Sequence, residues 1–494
     1  MRIDRLRFVL SWTLIVLFVT TTALVLFLTF GYRWSADRGI FIYTGSATIK
    51  SNPRTVDIFL DGKKVPNGML NIINQSMHVA GIQPGEHFIR VEAAGFKPWE
   101  KKISVGSGIS TEFWNIILPR QEYPMETIST DRYEQAFPSP DGATILFSGT
   151  EGERIFINAL DKISGESTLV FESDRYRFSD NTLENIELSW SDQERILVPV
   201  TDDRGATILI IDRETGETTD IRDIAPITAP SFARWHPTDE RAFFVLSGDS
   251  DLYVIRPKES LPEKRAVLLS SGISAYDLSQ RYLYTLEAET GIVYRSAYGN
   301  EEEFGPDPIT PPIESILGAE TPVLTVYDER RVAVYDLHGK GILYNDDGGR
   351  NPAMISLGDA VEGVQFSDDG KKLLFYSENE ISVAFTRDWE VQPVRSSGDV
   401  LQIARFSFPL SSAQWTEDYE HILFGIGGEV KIAELDHRDR RQMETLIPIP
   451  TGSTLVQVLS SFGEDRIYLL TRNDQGDASF SFITFPEETG IFVR

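Results

Sequence analysis

One short sequence pattern recurs along most of this chain and constrains its fold more than any other feature. In the first copy, FPSPDGATILFS from Phe137, an aromatic residue is followed by a polar Asp-Gly turn and then by an apolar run. Asp-Gly tolerates the positive φ angles of a tight turn, so the pattern predicts a β-hairpin. Because a single hairpin is only marginally stable in water, each copy must pack against other elements.

We find eight copies of this pattern, of which the copies at Tyr327 and Ser460 are weaker. They begin at Phe137, Trp190, Trp235, Tyr276, Tyr327, Phe366, Trp415 and Ser460, so successive starts are 53, 45, 41, 51, 39, 49 and 45 residues apart. This spacing is typical of one four-stranded β-propeller blade, which takes roughly 40 to 50 residues. The leading aromatic residues are therefore predicted to be buried between neighbouring blades.

These repeats resemble those of TolB-type and WD-like propellers, whose hairpins carry the pattern F-S-P-D-G-x-x-I-x-F. Phe137–Phe147 and Phe366–Phe375 match it best, whereas the other copies lose the Pro or the Asp-Gly. The resemblance covers residues 123–494 and implies eight blades, with seven as the alternative. Closing such a ring requires one end of the chain to complete the sheet of the other end. We therefore predict that a strand near Thr127 pairs within the sheet formed by residues 455–485.

The N-terminal region contains a single long apolar segment. Phe8 to Phe30 is 23 residues without a charge, and a helix of that length reaches about 35 Å, enough for a hydrocarbon core of about 30 Å. No small-x-small cleavage site follows it, which favours an anchor over a cleaved signal. Because Arg2, Arg5 and Arg7 precede it, we predict a cytoplasmic tail at 1–7, a transmembrane anchor at 8–30 and all later residues outside the cytoplasm.

Between residues 40 and 120 the pattern changes to short alternating runs separated by turns, which predicts a small β-sandwich. This region resembles a PEGA domain, an extracytoplasmic β-sandwich module that is usually tethered to a membrane. The matching residues are Ser51, Pro53, Asp61, Gly62, Pro84, Gly85, His87, Gly95, Phe96 and Trp99. The stretch from Pro119 to Pro124 is predicted to link this unit to a separately folded propeller at 123–494.

Composition excludes several classes of function. The formal net charge of −27 argues against nucleic acid as a partner, because such a surface repels phosphates. The chain has no cysteine, which removes disulfides, thiolate metal sites and cysteine nucleophiles.

The residues that carry chemistry elsewhere are scattered. There is no phosphate-binding loop, no H-E-x-x-H and no G-x-S-x-G elbow. The six histidines stand singly, at His78, His87, His236, His338, His421 and His437. We assign His87 to packing and His236 to a turn, and we expect solvated turns at the acidic pairs Asp202-Asp203, Asp346-Asp347 and Asp368-Asp369. We therefore name no catalytic, cofactor-binding or metal-binding residue.

The sequence as a whole predicts an all-β ectodomain on a single transmembrane helix. We interpret it as a non-enzymatic, single-pass protein of a bacterial cell envelope, whose propeller binds a protein or glycan partner and is held on a PEGA-like spacer. The alternative is a propeller hydrolase or lyase acting on envelope glycans or peptides in the central channel, because a ring can bring distant carboxylates together.

Overall fold

A computed structural model of the 494-residue chain describes residues 2–35, 39–66, 70–71, 76–139, 141–162, 164–179, 189–191, 195–298, 306–348, 352–461 and 465–486. Within these ranges the chain forms one α-helix, Arg2–Thr29, and is otherwise built of β-strands. Three short 3-10 helices lie in connections between the described strands, at Ile221–Asp223, Pro262–Lys264 and Glu314–Ile316.

The helix contains the apolar segment expected from the sequence. Its stretch Arg7–Thr29 is long and apolar enough to cross a membrane, a property that signal sequences share, and none of it is buried against the rest of the chain. The hydroxyls of Thr13, Thr20 and Thr29 donate to carbonyl oxygens one turn earlier, at 2.9 Å from Thr13 to Val9 and 2.7 Å from Thr29 to Val25. These bonds satisfy polar groups that hydrocarbon would leave without a partner.

A short antiparallel hairpin, which we did not predict, follows the helix directly. Its strands are Tyr32–Ser35 and Ile40–Tyr43. We call it the aromatic hairpin, because Tyr32, Trp34, Phe41 and Tyr43 are four of its eight paired residues.

The next unit, which we call the small domain, consists of two four-stranded sheets. The first contains Gly45–Asn52, Leu70–Asn71, Ser76–Ile82 and Ser110–Ile117, and the second contains Asp57–Leu60, Lys63–Lys64, Gly85–Glu92 and Trp99–Val105. Buried residues from both sheets, including Ile49, Ile89 and Phe113, form one hydrophobic core. This core explains the alternating apolar pattern of the strands, since one face of each sheet is buried against the other.

Beyond residue 125 the described strands form eight consecutive antiparallel sheets, which we number in chain order. Sheet 1 contains Tyr133–Pro138, Thr144–Glu151, Arg154–Asp161 and Ser167–Ser173. Sheet 2 contains Arg177–Phe178, Ser189–Trp190, Arg195–Asp202, Gly205–Asp212 and Thr218–Asp220. Sheet 3 contains Phe232–Trp235, Phe243–Leu246, Leu252–Ile255 and Ala266–Ser270. Sheet 4 contains Ile273–Leu278, Tyr282–Glu287, Val293–Ala297 and Asp307–Pro308.

The remaining four sheets follow the same plan. Sheet 5 contains Pro322–Asp328, Arg331–Asp336, Lys340–Asn345 and Ala353–Asp359. Sheet 6 contains Val361–Phe366, Lys372–Ser377, Glu380–Phe385 and Val400–Arg405. Sheet 7 contains Leu410–Trp415, His421–Ile426, Glu429–Glu434 and Met443–Pro448. Sheet 8 contains Ser453–Ser461, Arg466–Asn473, Ala478–Thr484 and, from far earlier in the chain, Glu126–Asp131.

The recurring sequence pattern forms the turn between the first two strands of these sheets. Ser139 Oγ donates to Asp141 Oδ1 at 2.5 Å, and the same oxygen accepts the N–H of Ala143 at 3.0 Å. The same hydroxyl-to-carboxylate bond recurs in Ser367–Asp369 and Thr416–Asp418, at 2.8 and 2.7 Å. The glycine that follows is required at Gly370, where φ is 62° and a Cβ would lie 2.3 Å from the ring of Tyr327.

Eight hydrophobic clusters connect these sheets in cyclic order. Each contains buried residues of two consecutive sheets, and one joins sheet 8 to sheet 1 through Phe480 and Phe147. The predicted closing strand is confirmed, because Thr127 pairs with Ser481. Of the aromatic residues predicted to be buried between blades, Trp235 and Trp415 are buried, and Phe137, Trp190 and Phe366 are partly buried within the clusters.

Candidate interaction surface

The small domain contacts the ring of sheets through a buried lysine. Lys101 lies on the strand Trp99–Val105, at a position where alternation turns the side chain inward. Its side chain is 0% exposed, and its Nζ lies 2.5 Å from Oε1 of Glu434 and 3.9 Å from Oδ1 of Asp436. It also donates to the carbonyl oxygens of Asp436, Arg438 and Arg440 at 2.9 to 3.1 Å. These contacts compensate a charge whose burial would otherwise be costly.

Further hydrogen bonds surround this lysine. Trp99 Nε1 donates to Oε2 of Glu434 at 3.0 Å, and the N–H of Lys102 donates to Oδ2 of Asp439 at 2.9 Å. Arg438 stacks on the ring of Phe113, 4.0 Å from its centroid. We call this set of contacts the joint.

A second loop of the ring completes the joint. The side chain of Gln392 accepts the N–H of Glu112 at 3.1 Å and donates to the carbonyl of Ser110 at 3.1 Å. Gln392 lies in 386–399, which connects the third and fourth strands of sheet 6, and Asp436 lies in the equivalent connection of sheet 7, 435–442. The small domain therefore lies against one face of the ring, at sheets 6 and 7.

The charges of the joint balance one another. Burial raises the pKa of Asp436, but the hydrogen bonds from Arg438 and the charges of Lys101 and Arg438 outweigh it and lower the pKa below its ordinary value. Two cations thus face the carboxylates of Asp436 and Glu434. Such a site holds two surfaces in one register, because any displacement leaves a buried charge without its partner.

Polar side chains also connect the first strands of neighbouring sheets. Each accepts a backbone N–H of the next sheet, in the pairs Gln457–Ala136, Gln365–Trp415, Gln414–Ser460 and Asp277–Val326, at 2.7 to 3.2 Å. Asp277 also accepts from Nη1 of Arg234 at 2.9 Å. These groups at the inner strands are held by the fold itself and fix the order of the sheets.

One of the acidic pairs lies in surroundings that differ from the prediction. The carboxylate of Asp202 is 3% exposed and accepts from both Nη atoms of Arg222 at 2.8 Å, with Arg175 and Arg204 also within hydrogen-bond distance. The hydrogen bonds from Arg222 hold its pKa far below its usual range. The prediction of a solvated turn is therefore wrong for Asp202, because Arg222, twenty residues later, folds back over it.

The histidines occupy separate places. His236 Nδ1 accepts the N–H groups of Thr238 and Asp239 at 3.2 and 3.0 Å, so it does occupy the turn position predicted for it. His87 Nδ1 lies 2.7 Å from Oδ2 of Asp61, a neighbour that the sequence did not reveal. Among the described residues, no three His, Asp or Glu side chains form a group that could hold a metal ion.

His421 and its neighbours form a buried charged cluster between sheets 6 and 7. Its Nδ1 lies 2.7 Å from Oδ2 of Asp418. Burial lowers the pKa of His421, but the Asp418 charge outweighs burial, so that the pKa is raised above its ordinary value. Lys372 is equally buried, lies 2.5 Å from Oε1 of Glu420 and stacks 4.2 Å from the ring centroid of Trp389. These groups hold the two sheets together.

The joint is the feature that sequence reasoning missed. Lys101 and Glu434 are more than three hundred residues apart, and no local pattern relates them. The available signal was an unpaired lysine at an inward position of an alternating strand, between Trp99 and Ile103. An inward charge of this kind indicates a partner supplied from outside the strand.

Comparisons with known proteins found one family model and a set of solved structures that are similar to parts of this chain. Residues 44–118 match the family model of the PEGA domain. No curated protein matches this chain. Solved structures similar to it include Sqt1 of Saccharomyces cerevisiae, at 12% identity and a TM-score of 0.46 over 74% of this chain and 98% of the other. They also include BamB of Moraxella catarrhalis, at 11% identity and a TM-score of 0.43 over 72% and 99%, and the β-propeller domain of Cps50 (Swd1) of Myceliophteria thermophila, at 12% identity and a TM-score of 0.40 over 72% and 99%.

Proposed function

We propose that this chain is a single-pass membrane protein whose PEGA-like β-sandwich presents a closed, eight-bladed β-propeller as a binding platform for a protein or glycan outside the cytoplasm. The proposed units are a cytoplasmic tail at 1–7, an anchor at 8–30, the sandwich at 40–120 and the propeller at 123–494. In this arrangement the sandwich carries the propeller, and the partner binds at the face of the ring opposite the joint.

The joint is the observation that carries this proposal. A propeller on a flexible tether would need no buried ion pair with its spacer, whereas Lys101 is completely buried against Glu434. A spacer that is fixed in this way presents one face of the propeller in a constant direction. A binding platform benefits from this geometry, since preorganisation lowers the entropy cost of association.

The free face of the ring is the proposed binding surface. The joint uses the connections between third and fourth strands, whereas Phe408 follows the fourth strand of sheet 6 and therefore lies at the opposite ends of the strands. Phe408 is 65% exposed and therefore marks an accessible position on this face. We propose that the partner contacts this face.

The absence of cysteine allows both parts of the proposal to be tested with single reporters. In intact spheroplasts, a membrane-impermeant maleimide should label Phe408→Cys, and Asp4→Cys should be labelled only after lysis. Labelling of Asp4→Cys in intact cells would reverse the orientation.

Binding is tested from the same position. A benzophenone maleimide on Phe408→Cys should give discrete adducts in native membranes, and excess unlabelled wild-type protein should compete them away. A label on Val394→Cys, in the connection that holds the joint, serves as the matched control and should give none of these adducts. Turnover of envelope glycans or peptides by the purified wild type would instead support the enzyme alternative.

A further inference from the structure

The aromatic residues of the hairpin lie on one of its two faces. Opposite residues of an antiparallel pair share a face, and the pairs Tyr32–Tyr43 and Trp34–Phe41 place four aromatic rings on one side. Trp34 is 55% exposed and Phe41 is 44% exposed. The other face carries Arg33 and Ile40, which are exposed, together with Ser35 and Ile42, which are buried.

The aromatic face continues onto the apolar helix. Phe27, in the last turns of the helix, stacks on Tyr32 with ring centroids 4.2 Å apart and an interplanar angle of 12°. It also contacts Phe41 edge-on at 5.1 Å. The exposed rings of the hairpin and the exposed apolar surface of the helix thus form one continuous surface.

The hairpin is also joined to the small domain. The Thr44 hydroxyl and N–H both donate to the carbonyl of Gly31, at 2.5 and 3.0 Å, and the N–H of Gly108 donates to the carbonyl of Thr44 at 3.1 Å. The ring of Tyr43 lies against Gly108, where a Cβ would come within 2.2 Å of it. Helix end, hairpin and small domain are therefore connected by direct contacts rather than by a free linker.

We propose that the aromatic hairpin lies in the headgroup region of the bilayer, with Trp34 and Phe41 in contact with lipid, and that this contact sets the tilt of the small domain on the membrane. The inference rests on the proposed anchoring of the helix. We assign lipid as the partner of the aromatic surface because the hairpin begins three residues after the helix ends. The bilayer that holds the helix therefore also surrounds the hairpin. Trp and Tyr favour this region, where an apolar ring meets a wet boundary.

Spin labels on single cysteines test the placement, with the full chain reconstituted in vesicles of phosphatidylcholine and phosphatidylglycerol. The reporters are Trp34→Cys and Phe41→Cys on the aromatic face, Arg33→Cys on the opposite face, and Leu17→Cys in the helix. We expect the ratio of oxygen to nickel-chelate accessibility to be several-fold higher at Trp34 and Phe41 than at Arg33. Trp34 and Arg33 are adjacent in the chain and lie at similar depth, so a difference between them reports which face of the hairpin contacts lipid.

The outcomes separate this inference from the anchoring on which it rests. If the Leu17 label lies in lipid while both aromatic-face labels match Arg33, the hairpin placement is wrong and the anchor stands. If the Leu17 label lies in water, the anchor itself fails. Two reporters on the aromatic face guard against a substitution that disrupts the hairpin locally. If only one of them shows the same accessibility ratio as Arg33, that substitution has a local defect, and the ratio at the other position decides the placement.

Discussion

Replacing Lys101 with methionine should destabilise the contact between the small domain and the ring. Methionine keeps much of the length of the side chain but removes the charge, so that Glu434, 7% exposed, loses its cation. Breaking a buried pair by removing one partner costs about 3 to 5 kcal/mol. Because Glu434 keeps hydrogen bonds from Trp99 and from the N–H of Gln442, we expect about 3 kcal/mol, the lower end of that range.

A free-energy change of this size alters the ratio of closed to open joint by a factor of roughly 100. Nitroxides on Lys63→Cys in the small domain and Phe408→Cys in the ring report it by double electron–electron resonance. The wild type should give a narrow distance distribution, and Lys101→Met should give a broader one together with a lower urea midpoint.

Lys102→Met is the matched control, because Lys102 is 57% exposed and its ion pair with Glu86 lies on the surface. It should leave both the distance distribution and the midpoint nearly unchanged. The double variant Lys101→Met, Glu434→Gln should recover part of the loss, since it removes both charges. If Lys101→Met behaves like Lys102→Met, the joint contributes no stability and our reasoning about presentation fails.

Three further predictions concern the ring. Arg222→Met should lower the free energy of unfolding by about 2 kcal/mol in urea titrations, because the carboxylate of Asp202 loses charged hydrogen bonds; an unchanged midpoint would contradict this. Deleting 122–130 removes the closing strand and should cost several kcal/mol and expose the last sheet to proteolysis; wild-type resistance would show that closure is dispensable. The pKa of His421 is raised, so its contact with ionised Asp418 stabilises the fold most between about pH 4 and pH 6.5 and less as the pH rises through the folded pKa of His421. The difference in urea midpoint between wild type and Asp418→Asn should therefore narrow as the pH rises above about 6.5, and a constant difference would refute the assignment.

Much of the fold could be read from local pattern. Each hairpin of the ring depends on residues only a few positions apart, such as Ser139, Asp141 and the glycine after it, and the same chemistry recurs at Ser367 and Thr416. The helix depends only on the composition of Phe8–Phe30. The closing strand near Thr127 also followed, because pairing the last sheet with a strand from the other end of the propeller segment protects an edge that would otherwise stay open.

The sequence by itself therefore determined the repeating unit and the apolar segment, since each is encoded over short distances, whereas it left eight and seven copies open. Only the tertiary structure decided which charges meet. Lys101 finds Glu434, and Arg222 covers Asp202, because packing brings together backbones whose separation along the chain carries no information about their distance in space. Burial determines how much these pairs contribute to the free energy of unfolding, and the side chains become buried only when the sheets have packed against one another.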